Sequence, residues 1–117
     1  MSHSREIHPG MFVSSTNAHH WEPDPDVGGE WHVLVAGDDG YVGMTRYETD
    51  PGPIEWTIPV RESVLVLEGT ARIEVEGGPT LELGVGDLAS LPEGAVTLWH
   101  VTVPYRELWI FPRTYDA

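Results

Sequence analysis

The fold is decided by residues 56–103, WTIPVRESVLVLEGTARIEVEGGPTLELGVGDLASLPEGAVTLWHVTV. Aliphatic and β-branched runs follow one another here, and Gly-rich and Pro-rich turns separate them. Alternation of apolar and polar residues is typical of strands that bury one face, and Gly and Pro end such strands. The pattern predicts short strands and no helix. Their predicted ranges are 64–67, 71–75, 80–83, 88–91 and 95–103.

The flanking residues continue the same rhythm. Residues 31–36 and 41–48 predict a hairpin, residues 54–58 predict another strand, and residues 105–111 predict a closing strand between two prolines. Nine or ten short strands without a helix predict an all-β, antiparallel double-sheet barrel, which avoids open edges and leaves a pocket in its mouth. The barrel is predicted to occupy residues 31–117 as a single domain.

Residues 1–30 are predicted to form an N-terminal arm. Its apolar residues are few, mainly Ile7, Met11–Val13 and Trp21, and Pro and Gly interrupt the rest. A barrel complete from residue 31 has no internal place for Ile7 to Val13. We therefore expect a homodimer in which this part of the arm packs across the partner's sheet.

The charge balance restricts the partners. The 117 residues include 19 acidic residues, six Arg and no Lys, which gives a formal charge of −13. Such a charge argues against nucleic acid and anionic membrane surfaces as partners. The chain has no Cys for disulfides or thiolates and no Lys for a Schiff base. It also lacks an apolar run of roughly 20 residues, so the expectation is a cytoplasmic protein.

Two spaced motifs carry a family resemblance. Glu62 is followed after six residues by Gly69, and Gly86 is followed after five residues by Pro92 and then Gly94. Together they resemble the two-motif signature of the cupin superfamily, over roughly residues 43–111. The resemblance implies a single-domain cupin jelly-roll β-barrel, also called a double-stranded β-helix.

In metal-binding cupins, the same motifs supply three His and one Glu. The corresponding places here hold Trp56, Ile58, Glu62 and Thr97, and one carboxylate with an indole, an alkyl group and a hydroxyl does not make a metal site. We therefore expect no metal and no other cofactor. The alternative is a rearranged site built from the six His of the chain. They are His3, His8, His19, His20, His32 and His100.

A narrower resemblance is to small cupins that are grouped with the cupin domain of ureidoglycine aminohydrolase. That enzyme uses a metal held by the family's donors. The segments that carry the resemblance are Arg61-Glu62-Ser63, Leu67-Glu68-Gly69, Val85-Gly86-Asp87, Leu91-Pro92-Glu93-Gly94 and Thr97-Leu98-Trp99.

The cupin resemblance implies that the following residues face the barrel interior: Trp56, Ile58, Glu62, Val64, Thr97 and Trp99. Glu62 and Thr97 are the candidate catalytic residues. The candidate substrate-binding residues are Trp56, Ile58, Arg61, Trp99, Arg46, Tyr47, Arg106 and Trp109. Structural alternatives stay open, because Trp rings fill many β-barrel cores and Arg side chains often pair with acids.

Three functions fit this pocket. The first is a metal-independent enzyme for a small molecule, an isomerase, lyase, cyclase or hydrolase that uses Glu62. The second is a non-catalytic module that binds or senses a metabolite. The third is an oligomeric structural partner whose pocket is filled by Trp56 and Trp99. A metal enzyme similar to ureidoglycine aminohydrolase is a further alternative. The fold alone does not choose among them.

Overall fold

The computed structural model describes residues 5–115, which form ten strands and no helix. The all-β fold that the sequence predicts is confirmed. No helix in these residues is long and apolar enough to span a membrane. The strands are β1 Arg5–His8, β2 Met11–Val13, β3 Glu22–Pro23, β4 Glu30–Gly37, β5 Gly40–Tyr47, β6 Ile54–Thr57, β7 Glu62–Val75, β8 Thr80–Leu83, β9 Leu88–Leu91 and β10 Val96–Phe111.

Two long strands, β7 and β10, run antiparallel and join the two faces of the barrel. On one face, the second half of β10 pairs with β5, and β4 and β3 continue that sheet; β9 pairs with the first half of β7. On the other face, the first half of β10 pairs with β6, and β8 pairs with the second half of β7. This pairing is the predicted double-sheet jelly roll.

Two predicted strand ends are wrong. The sequence predicts breaks at Glu68-Gly69 and at Pro104, but β7 and β10 continue through both places. Gly69 has a φ of +77°, and a Cβ there would lie 2.5 Å from the carbonyl oxygen of Thr102. The ladder shifts register beside it, and the Val103–Pro104 peptide bond is cis. Gly and Pro thus bend the paired strands at the junction of the two sheets instead of ending them.

Alternation along β10 positions the core. Thr97, Trp99 and Val101 are buried inside the barrel, as period two predicts. His100 lies on the opposite face, where its Nε2 is 2.6 Å from Glu74 Oε2. The buried core continues with Tyr105, which is 1% exposed, beyond the cis-proline.

The N-terminal residues are divided between a hairpin and a cover. Strands β1 and β2 form a separate two-stranded sheet, with Ile7 and Met11 more than half exposed. The following residues lie along the outer face of the barrel, where Ser14 Oγ is 2.6 Å from His32 Nε2 and β3 pairs with β4. Docking of the hairpin on a second subunit stays a prediction.

Candidate functional site

A cavity opens between the two sheets of the barrel. Its free volume is about 60 Å³, which is small beside the roughly 300–1,000 Å³ of typical ligand pockets. Strands β4, β5, β6, β7 and β10 supply its walls, and Asp24, Asp26, Val27 and Tyr115 complete the lining. The aromatic lining residues are Trp31, Tyr47, Trp56, Trp99, Trp109, Phe111 and Tyr115.

Glu62 begins β7 and reaches this cavity with only 4% of its surface exposed. Its Oε1 accepts a hydrogen bond of 2.8 Å from Trp56 Nε1. Burial raises the pKa of Glu62 to about 7, although the Trp56 bond acts in the opposite direction. Glu62 is therefore a carboxyl group that changes its protonation state close to neutral pH.

A second acid, Glu107, faces the same cavity and was not predicted from the sequence. It lies on β10, is 6% exposed, and its Oε1 accepts a hydrogen bond of 2.7 Å from the Tyr105 hydroxyl. Burial, and then the charge of Glu62, raises the pKa of Glu107 to about 8. The two-residue alternation of a strand could have identified Glu107, since it places Glu107 on the same face as Tyr105 and Trp109.

Three indole groups of the wall have their N–H groups bonded within the protein. Besides the Trp56 bond, Trp99 Nε1 donates to Thr97 Oγ1 at 2.9 Å, and Trp109 Nε1 donates to Thr45 Oγ1 at 2.8 Å. These bonds hold the rings in place and leave their apolar surfaces to the cavity.

The position of Trp109 depends on a glycine in the neighbouring strand. A Cβ at Gly43 would lie 2.7 Å from the Trp109 ring and 2.7 Å from the carbonyl oxygen of His32. The ring therefore lies directly against the backbone of β5. This contact explains why a strand interior contains a residue with low strand propensity.

Asp24 lines the cavity and was also not predicted. Its Oδ1 accepts hydrogen bonds from the backbone N–H groups of Asp26 and Val27, at 2.8 and 3.3 Å. The Tyr47 hydroxyl donates to the Val27 carbonyl oxygen at 3.0 Å, which ties this loop to β5. Burial raises the pKa of Asp24, against the effect of its two backbone bonds. The Tyr115 ring contacts Trp56, with ring centres 6.2 Å apart.

Five of the predicted site residues line the cavity: Tyr47, Trp56, Glu62, Trp99 and Trp109. Two others are buried beside it without lining it. Ile58 is 1% exposed and belongs to the hydrophobic core. The Thr97 hydroxyl donates to the Trp56 carbonyl oxygen and accepts from Trp99, so both of its hydrogen-bonding roles are used within the protein.

The three predicted arginines lie outside the cavity. Arg46 Nε is 2.9 Å from Glu30 Oε1, and its guanidinium lies 4.4 Å from the centre of the Trp21 ring on the outer surface. Arg61 donates to Ser90, and Arg106 donates to the backbone of the N-terminal segment. Within the described chain, no Arg, Lys or His lines the cavity.

The places that bind metal in related cupins do not fit a metal ion in this chain. The Trp56 indole is a donor bonded to Glu62, Ile58 has no donor atom for a metal, and the Thr97 hydroxyl is already bonded twice. Across residues 5–115, no group of three or more His, Cys, Asp or Glu could hold a metal ion.

Comparison with known proteins agrees with this fold. The chain resembles a protein assigned as ethanolamine utilization protein Q from Salmonella typhimurium (TM-score 0.77, 21% identity, 95% of this chain and 94% of that chain). It also resembles the EutQ protein of Clostridium difficile (0.58, 22%, 79% and 68%) and KdgF from Halomonas sp. (0.64, 15%, 86% and 94%). At these identities, the likeness shows the fold alone.

No curated protein sequence matches the chain significantly. Residues 36–115, most of the barrel, match the family described as the EutQ-like cupin domain. The chain therefore belongs to the EutQ-like cupin domain family, within the superfamily that its two motifs resemble.

Proposed function

We propose that this domain acts on a small molecule in the barrel cavity without a metal, with Glu62 as its base and Glu107 as its acid. One observation carries the proposal. Two buried carboxyl groups, both with pKa values raised toward neutrality, line one aromatic cavity. General acid–base catalysis is most efficient when the pKa of the catalytic group lies near the working pH.

The two acids differ in a way that suits opposite roles. Glu62 accepts a bond from an indole, whereas Glu107 accepts a bond from the Tyr105 hydroxyl and has its pKa raised by burial and by the charge of Glu62. Glu62 as the carboxylate removes a proton, and Glu107 as the carboxylic acid supplies one. This division supports an isomerase, lyase, cyclase or hydrolase of small molecules.

A non-catalytic binding or sensor module is the second candidate. It is favoured by the largely aromatic wall, which offers extensive contact area to a ligand while three of its indole N–H groups are bonded within the protein. In that case Glu62 and Glu107 only anchor the ligand, and no turnover accompanies binding.

A metal enzyme similar to ureidoglycine aminohydrolase is the third candidate. The narrower motif resemblance favours it, but the engaged or donor-free side chains of Trp56, Ile58 and Thr97 oppose it. Release of ammonia from ureidoglycine that depends on added divalent metal would replace our proposal with this candidate.

Proton transfer can be tested before the substrate is identified. A panel of small amines, ureido compounds and sugars is screened by thermal shift, and each stabilising compound is then incubated with the protein in deuterium oxide. We expect deuterium exchange at a ligand C–H bond, or a new product, in the wild-type protein. Nuclear magnetic resonance of the ligand detects both.

Three variants assign the chemistry. Glu62→Gln and Glu107→Gln each remove a titratable group at nearly constant size, and either is expected to lower the rate by at least about 10²-fold. Glu93→Gln removes the same charge from an exposed loop and serves as the matched control. Full activity of both cavity variants would refute the acid and base roles, whereas binding without exchange would identify a binding module.

A further inference from the structure

We infer that the cavity selects a small organic cation, an amine or quaternary ammonium group held by aromatic rings and by the carboxyl groups of Glu62 and Glu107. The inference rests on the proposed function, since it takes the cavity as the ligand site and specifies the charge of the ligand. Three features of the cavity support it: the sign of its charges, the use of its hydrogen-bond donors, and the arrangement of its rings.

All ionisable side chains of the lining, apart from its tyrosines, are acids. They are Asp24, Asp26, Glu62 and Glu107, and within the described residues no basic side chain lines the cavity. An anionic ligand would therefore enter a low-dielectric space without a counter-charge. A cation finds two buried carboxyl groups, and the formal charge of −13 of the whole chain attracts it from a distance.

Four hydrogen-bond donors of the wall are already used. The indole N–H groups of Trp56, Trp99 and Trp109 bond to protein acceptors, and the Tyr47 hydroxyl donates to Val27. The acceptors are not exhausted. Each of the two glutamates accepts one hydrogen bond through Oε1 from the described residues, so each Oε2 is left for a ligand. The cavity thus offers acceptors to a donor-rich or positive group.

The rings form an aromatic enclosure at several angles. The Trp109 ring centre is 6.5 Å from Trp31 and 5.5 Å from Phe111, and Tyr115 lies 6.2 Å from Trp56 and 5.0 Å from Phe111. Aromatic faces attract cations, and the attraction is largest for Trp and in desolvated sites. At these distances the rings touch one another, so an ammonium group would lie against their cavity-facing surfaces, next to the Trp56–Glu62 pair.

The protonation state of the two acids also depends on whether a ligand lies between them. Their burial and mutual repulsion favour the protonated forms when the cavity is empty. The other titratable groups nearby, Asp24, Tyr47 and Tyr105, do not supply a positive charge. A bound cation supplies it, and stabilises one carboxylate while the other carboxyl group keeps the proton that the proposed function requires.

Three probes of similar shape and different charge test the inference. They are choline, its uncharged analogue with carbon in place of nitrogen, and the carboxylate tert-butylacetate. Binding is followed on the isotope-labelled protein through the indole N–H signals of its five Trp. Trp31, Trp56, Trp99 and Trp109 line the cavity, whereas Trp21 lies outside under Arg46 and is the internal reference.

We expect choline to shift the cavity signals without shifting Trp21, with a Kd at least about tenfold below that of the uncharged analogue. The carboxylate is expected to bind least. The preference for choline is the Kd of the uncharged analogue divided by the Kd of choline. Glu107→Gln should reduce this ratio several-fold, and Glu93→Gln should preserve it. Glu62→Gln provides the same comparison if the first variant does not fold.

Two results would overturn the inference. Equal affinity for choline and its uncharged analogue would show that charge does not select the ligand, yet shifted cavity signals would leave the proposed function intact. Absence of cavity shifts with all three probes at millimolar concentration would also reject an ammonium site. The proposed function would then be judged by the exchange experiment alone.

Discussion

Replacement of Glu107 by Gln is expected to make the protein more stable at neutral and alkaline pH. Glu107 is 6% exposed, and its Oε1 accepts a hydrogen bond from Tyr105. Gln keeps the size of the side chain and an oxygen that accepts the same bond, but it never ionises. The variant therefore imitates the protonated acid at every pH. In the wild-type protein, ionisation of Glu107 places a negative charge in the cavity beside Glu62.

The size of the effect follows from proton linkage. The ordinary pKa of Glu107 in the unfolded chain is 4.5, and burial raises the folded value to about 8. Between these values the folded state holds a proton that the unfolded state has released, so the free energy of unfolding falls as pH rises. The slope approaches about 1.4 kcal/mol per pH unit, or about 3 kcal/mol from pH 5 to pH 7.

This contribution is fully present below about pH 4.5 and is lost as the pH rises toward 8. Glu62 acts with the same sign, because its pKa is also raised, and Glu74 acts with the opposite sign, because the His100 bond lowers its pKa. Both groups remain in the variant. The difference between wild type and Glu107→Gln is therefore small near pH 5 and grows to a few kcal/mol near pH 8.

Urea unfolding followed by Trp fluorescence, from about pH 5 to about pH 8, measures both stability curves. Glu93→Gln changes the net charge by the same amount, and its curve of stability against pH is expected to run parallel to that of the wild type. If Glu107→Gln also runs parallel to the wild type, Glu107 is ionised in the folded protein over this whole range. The reasoning about its burial would then be refuted, and with it the acid role in the proposed function.

Three further predictions concern metal, assembly and the cavity wall. Elemental analysis of the purified protein should find no stoichiometric transition metal, and about one Zn, Fe, Mn or Ni per chain that chelators remove with loss of stability would contradict this. Removal of residues 1–13, which include the exposed Ile7 and Met11, should convert a homodimer to monomer or aggregate, and an unchanged mass in solution would contradict the predicted docking. Gly43→Ala should lower the free energy of unfolding by about 1–3 kcal/mol, because its Cβ would lie 2.7 Å from the Trp109 ring. Gly40→Ala in the same strand meets nothing within 4 Å and is the control in thermal unfolding.

The positions of the strands along the chain could be predicted from the sequence because turn residues separate nearly all of them. Strands 80–83 and 88–91 were predicted with their observed bounds, since Gly or Pro closes both. The prediction failed where the same residue types bend a strand without ending it. At Gly69 and Pro104, the long ladder between β7 and β10 continues on both sides. Local sequence does not contain that pairing, so it could not distinguish a bulge from a turn.

The candidate site was also predicted only in part, because motif spacing identifies some of its residues and the inward face of other strands was left open. Trp56, Glu62 and Trp99 follow from the motif spacing, and all three line the cavity. Arg46 and Arg106 were included because a positive charge could bind an anionic substrate. Alternation places both on the outer face, because their neighbours Tyr47 and Glu107 point inward. The prediction gave more weight to the positive charge of these two arginines than to the alternation of inward and outward residues along their strands.

Glu107 shows what the sequence contained and why it was not used. Odd-numbered residues of β10 point inward from Thr97 to Val101, and the same parity holds from Tyr105 to Phe111 on the other side of Pro104. The proline suggested a new strand, whose inward face was then undetermined. The structure shows that Glu107 points inward. Glu62 is therefore one of two acids in the cavity, and this changes how it is interpreted. A single acid in an apolar pocket is explained by an indole bond alone, whereas two acids destabilise each other unless protonated or paired with a positive ligand. Since burial of such a pair lowers stability at neutral pH, a role in proton transfer or cation binding accounts for its presence better than packing does.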